Sequence, residues 1–141
     1  MVEKKMSKLS LSVQRVITGN SPKKKERKIT RAGLIRKLDK MFSEIVRKGG
    51  ECERCGKTDK TKLQCAHIYS RRHKNIRWDF KNALCLCAGC HMFFWHLEPA
   101  RAVRWAMTIR DFDYLDKKVA ESKPMKMEDL FAIEEELKSL S

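Results

Sequence analysis

Cys52-Glu53-Arg54-Cys55-Gly56 and Cys87-Ala88-Gly89-Cys90-His91 are the two stretches whose reading decides the fold. Each sets two thiols three positions apart, the C-x2-C spacing of a zinc knuckle, and two such pairs supply four thiolates in a tetrahedron. That arrangement makes a closed structural zinc site from Cys52, Cys55, Cys87 and Cys90. Each knuckle turn also calls for a small residue, met by Gly56 after the first pair and Gly89 within the second. Cys65 and Cys85 are left over and read as small buried apolar residues on strand-like runs. Cys85 competes with Cys87 for the metal, and the two-residue gap to Cys90 favours Cys87.

The surrounding chain narrows what these ligands are for. At 141 residues it predicts one compact domain with polar tails. Residues 1–50 carry 15 Lys and Arg against 4 Asp and Glu, residues 51–96 carry 9 against 4, and residues 97–141 carry 8 against 10. The net charge of +14 is therefore concentrated in the first two thirds, a field that gathers a polyanion and puts nucleic acid first among partners. No apolar run approaches the ~18 residues of a membrane span, and charges stand where a signal peptide needs an apolar core. The expectation is an intracellular, cytoplasmic protein with no membrane partner. In a reducing compartment six cysteines point to metal ligation or burial rather than to three disulfides.

Four segments follow from composition and periodicity. Residues 1–29, with Pro22 followed by three lysines, read as a basic flexible arm. Residues 30–50 read as a flanking helix: Thr30 caps it, Leu34, Ile35, Leu38, Met41, Phe42, Ile45 and Val46 form its apolar stripe, and Gly49 and Gly50 stop it. Residues 51–97 hold every cysteine and histidine, with short strands expected around Leu63 to Tyr69 and Ala83 to Cys87, a basic loop from Arg71 to Trp78, and a helix starting after Cys90. Residues 98–141 form a helical segment, with Ala102, Val103, Ala106 and Met107 on one apolar face and Leu130, Ile133, Leu137 and Leu140 on another. The fold class is α+β.

Within the dense segment, His67 lies near the end of the first strand, Asn82 opens the second, and His91 begins the following helix. Three such positions can converge on a small volume, and phosphodiester hydrolysis needs a base for water together with a cation for the developing charge. Taken singly, each histidine reads as an ordinary surface or core residue. Arg71, Arg72, Lys74 and Arg77 surround the candidate base as phosphate contacts; the bland alternative is a solvated basic loop. Trp78 and Trp95 could stack on unpaired bases, although large aromatics beside a small metal site more often belong to its core, the reading favoured for Trp95. His73 receives no role.

In this order, His67, Asn82 and His91 with Cys87 and Cys90 between the last two, residues 50–96 resemble the HNH, or ββα-metal, endonucleases. The resemblance implies a ββα-metal (His-Me finger) core of two strands and a helix, stapled here by the four-cysteine zinc. It implies DNA as substrate, His67 as general base, Asn82 as the residue that pins the loop and orients His67, and His91 as ligand of a catalytic Mg2+ or Mn2+. The family commonly has Asp or His immediately before the base, whereas this chain has Ala66. His96, five residues beyond His91 and roughly on the same helix side, is a candidate further ligand or else a packing residue. Ala66-His67-Ile68-Tyr69-Ser70-Arg71, Arg77-Trp78-Asp79 and the helical tail are similar to phage and prophage NinG-type recombination nucleases, which implies branched DNA and possible homodimerisation. Two other readings stay open: an HNH nuclease for packaging, restriction or intron mobility, and a non-catalytic zinc-stabilised DNA-binding module, for which Ala66 is the best argument.

Overall fold

The computed structural model describes residues 25–141, so the basic arm lies almost entirely outside the described residues, and residues 25–30 have no regular secondary structure. Helix α1 (Arg31–Arg47) opens where Thr30 Oγ1 accepts the Gly33 N–H at 3.1 Å, and buries Leu34, Leu38 and Phe42 along one stripe. It ends at Lys48, and Gly50 then takes a φ of +78°, a conformation open to glycine at no steric cost. Strands β1 (Leu63–His67) and β2 (Ala83–Cys87) pair antiparallel, with Leu63 opposite Cys87 and His67 opposite Ala83. Then come a π-helical segment (Cys90–His96), α2 (Pro99–Ala106), α3 (Phe112–Ala120) and α4 (Met127–Leu140). The class is α+β: helices around one small two-stranded sheet. No helix among the described residues is long and apolar enough to cross a membrane.

Two cores meet at the sheet. One gathers Leu63, Ala66, Leu84 and Leu86 with Cys52, Cys87, Cys90 and Ala106, flanked by Trp95 and Trp105. The other packs Leu34, Leu38 and Phe42 of α1 against Trp78, Ala83, Leu130 and Leu137, so the C-terminal helix α4 returns to cover the N-terminal helix. Strand β2 is buried at every position because it faces both cores, whereas β1 exposes Gln64.

The outer edge of β2 is covered by the first knuckle. Glu53 N–H donates to the Cys85 carbonyl at 2.8 Å, and the Cys85 N–H donates to Glu53 Oε2 at 2.7 Å. Arg110 then holds the free Glu53 oxygen at 2.6 Å. A carboxylate thus supplies the acceptor that a third strand would have offered.

The apolar faces expected beyond residue 97 are narrower than their composition suggests. Ala102 and Ala106 are buried, but Val103, Met107 and Leu140 are exposed. The buried face of α4 carries Glu134 between Leu130 and Leu137, paired with Lys37 of α1 and with Lys138 at 3.5 Å. A carboxylate can be buried there because two ammonium groups offset its desolvation, with Lys37 chiefly holding its pKa below the ordinary value.

Candidate metal centres and the histidine site

The four knuckle sulfurs lie within 4.8 Å of one another. Sulfurs ~2.3 Å from a tetrahedral zinc stand about 3.8 Å apart, and Cys55 Sγ is 3.7 Å from Cys87 Sγ. The donor set therefore fits a structural metal such as zinc. Burial drives the Cys90 thiol up to about 12. Burial also works against ionisation of Cys52, but backbone amides of Cys55, Cys87 and Arg54 draw it down to about 7. Four neighbouring thiolates need a cation to coexist, and Arg54 already contributes one positive charge from outside, its Nη1 3.6 Å from Cys90 Sγ and its guanidinium 3.7 Å above the Phe94 ring.

The two knuckle glycines differ. Gly56 has φ +73° and donates its N–H to the Cys52 carbonyl at 2.9 Å, so the first turn does require glycine. Gly89 has φ −64°, and a Cβ there would meet nothing within 4 Å. The expected need for a small residue in the second knuckle is corrected: that turn is ordinary right-handed backbone. Cys65 and Cys85 stand opposite each other across the strands and outside the four-sulfur cluster, and burial raises both thiols, Cys65 to about 11.

Asn82, fully buried, does the pinning. Its Oδ1 accepts the Tyr69 N–H at 2.7 Å, and its Nδ2 donates to the carbonyls of Tyr69 at 3.1 Å and Ile76 at 3.2 Å. Its own carbonyl accepts the Ile68 N–H at 2.9 Å. The chain between the strands is thus closed onto the first residues of β2. Helix α3 holds the same loop from outside: the Tyr114 hydroxyl donates to Asp79 Oδ2 at 2.6 Å, which pushes the tyrosine up to about 12, and Tyr69 is bonded to Asp116.

At the end of β1, His67 Nε2 lies 3.1 Å from the Arg77 carbonyl. A carbonyl only accepts, so Nε2 carries the proton and Nδ1 keeps its lone pair. Burial holds the imidazole below its ordinary pKa, opposed by the Arg77 carbonyl and by Asp39 and assisted by the charges of Arg71 and Arg77. Phe42 packs against the ring at 5.8 Å between centroids.

His91 and His96 come together with their Nε2 atoms 3.0 Å apart. Five residues along an α-helix turn through about 500°, leaving two side chains about 140° apart; the wider i→i+5 winding of the π-helical segment cuts that offset to roughly 50°. His91 Nδ1 is 2.7 Å from Gln64 Oε1, an acceptor, so the His91 Nε2 lone pair points away from the strand. Two nitrogens bound at ~2.1 Å and at right angles to a single ion stand about 3.0 Å apart, so the pair fits one cation. Burial lowers the His91 pKa, followed by repulsion from His96 and His67. No carboxylate joins the pair: the four cysteines are the only group of three or more such ligands among the described residues. Ala66, 1% exposed, lies in the sheet core.

Compared with known proteins, the chain matches no family model, no curated protein and no solved structure. The site therefore rests on its own geometry.

Of the basic residues expected to grip phosphate, Arg71 and Arg72 are exposed and Lys74 is half-buried. Arg77 is committed internally. Its Nε and Nη2 bind Asp39 at 2.9 and 2.6 Å, and its Nη1 donates to the Arg71 carbonyl at 3.1 Å. Trp78 is buried, and Trp95 packs half-buried on the sheet core. Charge and spacing alone did not single out Asp39, Gln64, Arg54 or Glu53, each of which acts on a partner at least 27 positions away.

Proposed function

We propose that the protein is a metal-dependent DNA endonuclease of the HNH, ββα-metal kind, in which His67 is the general base. The observation that carries this reading is the histidine arrangement. His67 offers a free Nδ1 lone pair because its Nε2 is spent on the Arg77 carbonyl, and a bis-imidazole pair, with Nε2 atoms 3.0 Å apart, stands on the π-helical segment that follows β2. His67 and Gln64 are separated by an odd number of residues, so they leave β1 on opposite faces. In the proposed reaction His67 would approach a phosphodiester from a different side than the pair that Gln64 orients. In-line hydrolysis asks for that separation, since the nucleophile enters opposite the leaving oxygen.

In this mechanism His67 Nδ1 takes a proton from water as the water attacks phosphorus. A divalent cation held by His91 and His96 would supply neutralisation of the phosphate and the departing 3′ oxygen. Asn82 keeps the loop closed and thereby holds the Arg77 carbonyl against His67. Arg71, Arg72 and Lys74 contribute phosphate contacts; Arg77 serves the loop instead. Because imidazole without carboxylate suits borderline transition ions, Mn2+ or a later first-row ion is favoured over Mg2+. A zinc held by Cys52, Cys55, Cys87 and Cys90 would keep the π-helical segment against the sheet, since Cys90 is also the first residue of that segment. Branched DNA in recombination, in a phage or prophage setting, is the proposed substrate context, with a dimer expected for symmetric nicking.

A specific observation favours one alternative: Ala66 leaves the pair without an acidic ligand, as in a zinc-stapled DNA-binding module without catalysis. Strand cleavage of a linear duplex, a single strand, a flap and a four-way junction, with Mg2+, Mn2+, Ni2+ or EDTA, separates the two. Metal-dependent cutting that His67→Ala abolishes supports the nuclease, and substrate ranking tests the recombination context. A folded, zinc-loaded protein that binds DNA but cuts nothing supports the binding module.

A further inference from the structure

Helix α1 lies outside the segment whose sequence suggested chemistry, yet it meets His67 in two ways. Its Phe42 ring packs on the imidazole, and one turn earlier Asp39 gathers three donors. Asp39 Oδ1 accepts Arg77 Nε at 2.9 Å and Trp78 Nε1 at 3.0 Å, and Oδ2 accepts Arg77 Nη2 at 2.6 Å. The side chains of Asp39 and Arg77 are 22% and 15% exposed, so the bidentate pair is shielded from water and its geometry is held. Arg77 Nη1 reaches back to the Arg71 carbonyl, closing the basic loop over six residues. Two consecutive side chains, those of Arg77 and Trp78, thus hang from one carboxylate, and the carbonyl between them is the one that accepts from His67 Nε2.

We propose that Asp39 is a positioning residue which, through Arg77, fixes the ring orientation and tautomer of His67. The proposal rests on the reading of His67 as general base. Without the carboxylate, the Arg77 side chain keeps only its bond to the Arg71 carbonyl, the residue 77 carbonyl is held less firmly in direction, and Nε2–H loses its fixed acceptor. The proton can then move to Nδ1, the nitrogen that has to stay unprotonated to act on water. The charged groups acting on His67 are Arg71 and Arg77 from the loop and Asp39 from α1. Asp39 is the one acidic group among them, and it directs Arg77 away from the ring.

The experiment uses the zinc-loaded full chain. Ring nitrogen NMR on His67 at about pH 8, where imidazole is neutral, reports the tautomer in wild type, Asp39→Ala, Asp39→Asn and Asp39→Glu. Strand cleavage with Mn2+ is measured alongside. The Nε2–H tautomer is expected to dominate in wild type and to give way to a mixture in Asp39→Ala. The kcat is expected to fall about 10- to 100-fold with KM unchanged, as for lost outer partners of active-site histidines. Asp39→Glu should restore part of both readouts. Asp39→Asn, which keeps an oxygen for Trp78, covers the case in which the alanine variant does not fold. Glu134→Gln disturbs another buried contact of α1 and should leave both readouts unchanged. Wild-type tautomer and kcat in folded Asp39→Ala or Asp39→Asn protein would overturn the proposal while leaving the nuclease reading intact. A wild type that cuts nothing, but whose His67 tautomer still follows Asp39, would remove the nuclease reading and keep the positioning.

Discussion

Replacing Asn82 by alanine tests whether this side chain closes the loop between the strands. The substitution deletes three hydrogen bonds, to the Tyr69 N–H, the Tyr69 carbonyl and the Ile76 carbonyl. Each is worth about 1 kcal/mol net, and a buried donor or acceptor left without a partner costs a further 1–3 kcal/mol, roughly. Asn82 is 0% exposed, so water does not reach the vacated groups without opening the loop. The expected loss is about 3–5 kcal/mol, a large part of the ~5–15 kcal/mol that holds a domain together. Urea unfolding of the zinc-loaded protein, followed by fluorescence of the buried Trp78, measures it, and amide exchange at Tyr69 reports the local opening. Asn82→Asp should not rescue. It retains the acceptor for Tyr69 but turns a second oxygen toward two carbonyls. A loss below about 1 kcal/mol, with the Tyr69 amide still protected, would refute the pinning role.

The remaining predictions concern the knuckles, the base and the metal. Gly56→Ala is expected to destabilise by about 1–2 kcal/mol, because its φ is +73°, while Gly89→Ala should be neutral or stabilising by up to about 1 kcal/mol. Equal effects in thermal melts of the two variants would contradict this. As the proposed base, His67 would act only when neutral, and burial lowers its pKa, so cleavage should persist as pH falls to about 6.5 and decline below it; a half-maximal rate above pH ~7 would exclude a buried neutral base. With only imidazoles on the cation, cleavage should be faster with Mn2+, Co2+ or Ni2+ than with Mg2+, and His96→Ala should lose about tenfold or more in metal affinity by calorimetry. Equal activity with Mg2+, unchanged in His96→Ala, would mean that the pair does not hold the ion.

What was legible in the sequence depended on how far apart the interacting residues are. The knuckle pairs, the Thr30 cap and the α1 stripe are local patterns, and periodicity or spacing finds them. The strands formed close to their expected places because turn-forming polar runs bracket them; β1 ends at His67, two residues before the expected limit. Asp39 was not legible: it is a single acid among the helix's polar positions, and its meaning comes from partners 38 and 39 residues away. Arg77 is a parallel case: the sequence reads it as a phosphate contact, and the structure pairs it with Asp39. Charge alone does not distinguish an arginine aimed at solvent from one bound to a carboxylate of another helix. Glu134 likewise interrupts an apolar face in sequence, and only the approach of Lys37 makes its burial tolerable.

The π-helical winding ties these observations to the missing acid at Ala66. Ala66 and Gln64 share a face of β1, and Gln64 reaches His91, so a carboxylate at position 66 would have faced the same side as the pair. The chain packs an alanine there, and the histidine pair stands on the π-helical segment instead. One wide turn carries His96 onto His91, an alignment that ordinary α-helical spacing does not allow. The exchange has an electrostatic consequence. In the proposed nuclease, a carboxylate would cancel part of a bound cation's charge, whereas two neutral imidazoles would leave all of it to act on a phosphate. It also has a structural one: a π turn is less favourable than an α turn, and here its first residue is tied to the four-sulfur cluster through Cys90. In the proposed function the four-sulfur cluster and the histidine pair would be parts of one device: a metal on the cysteines would keep the wide turn in place, and the turn would offer a site for a second ion.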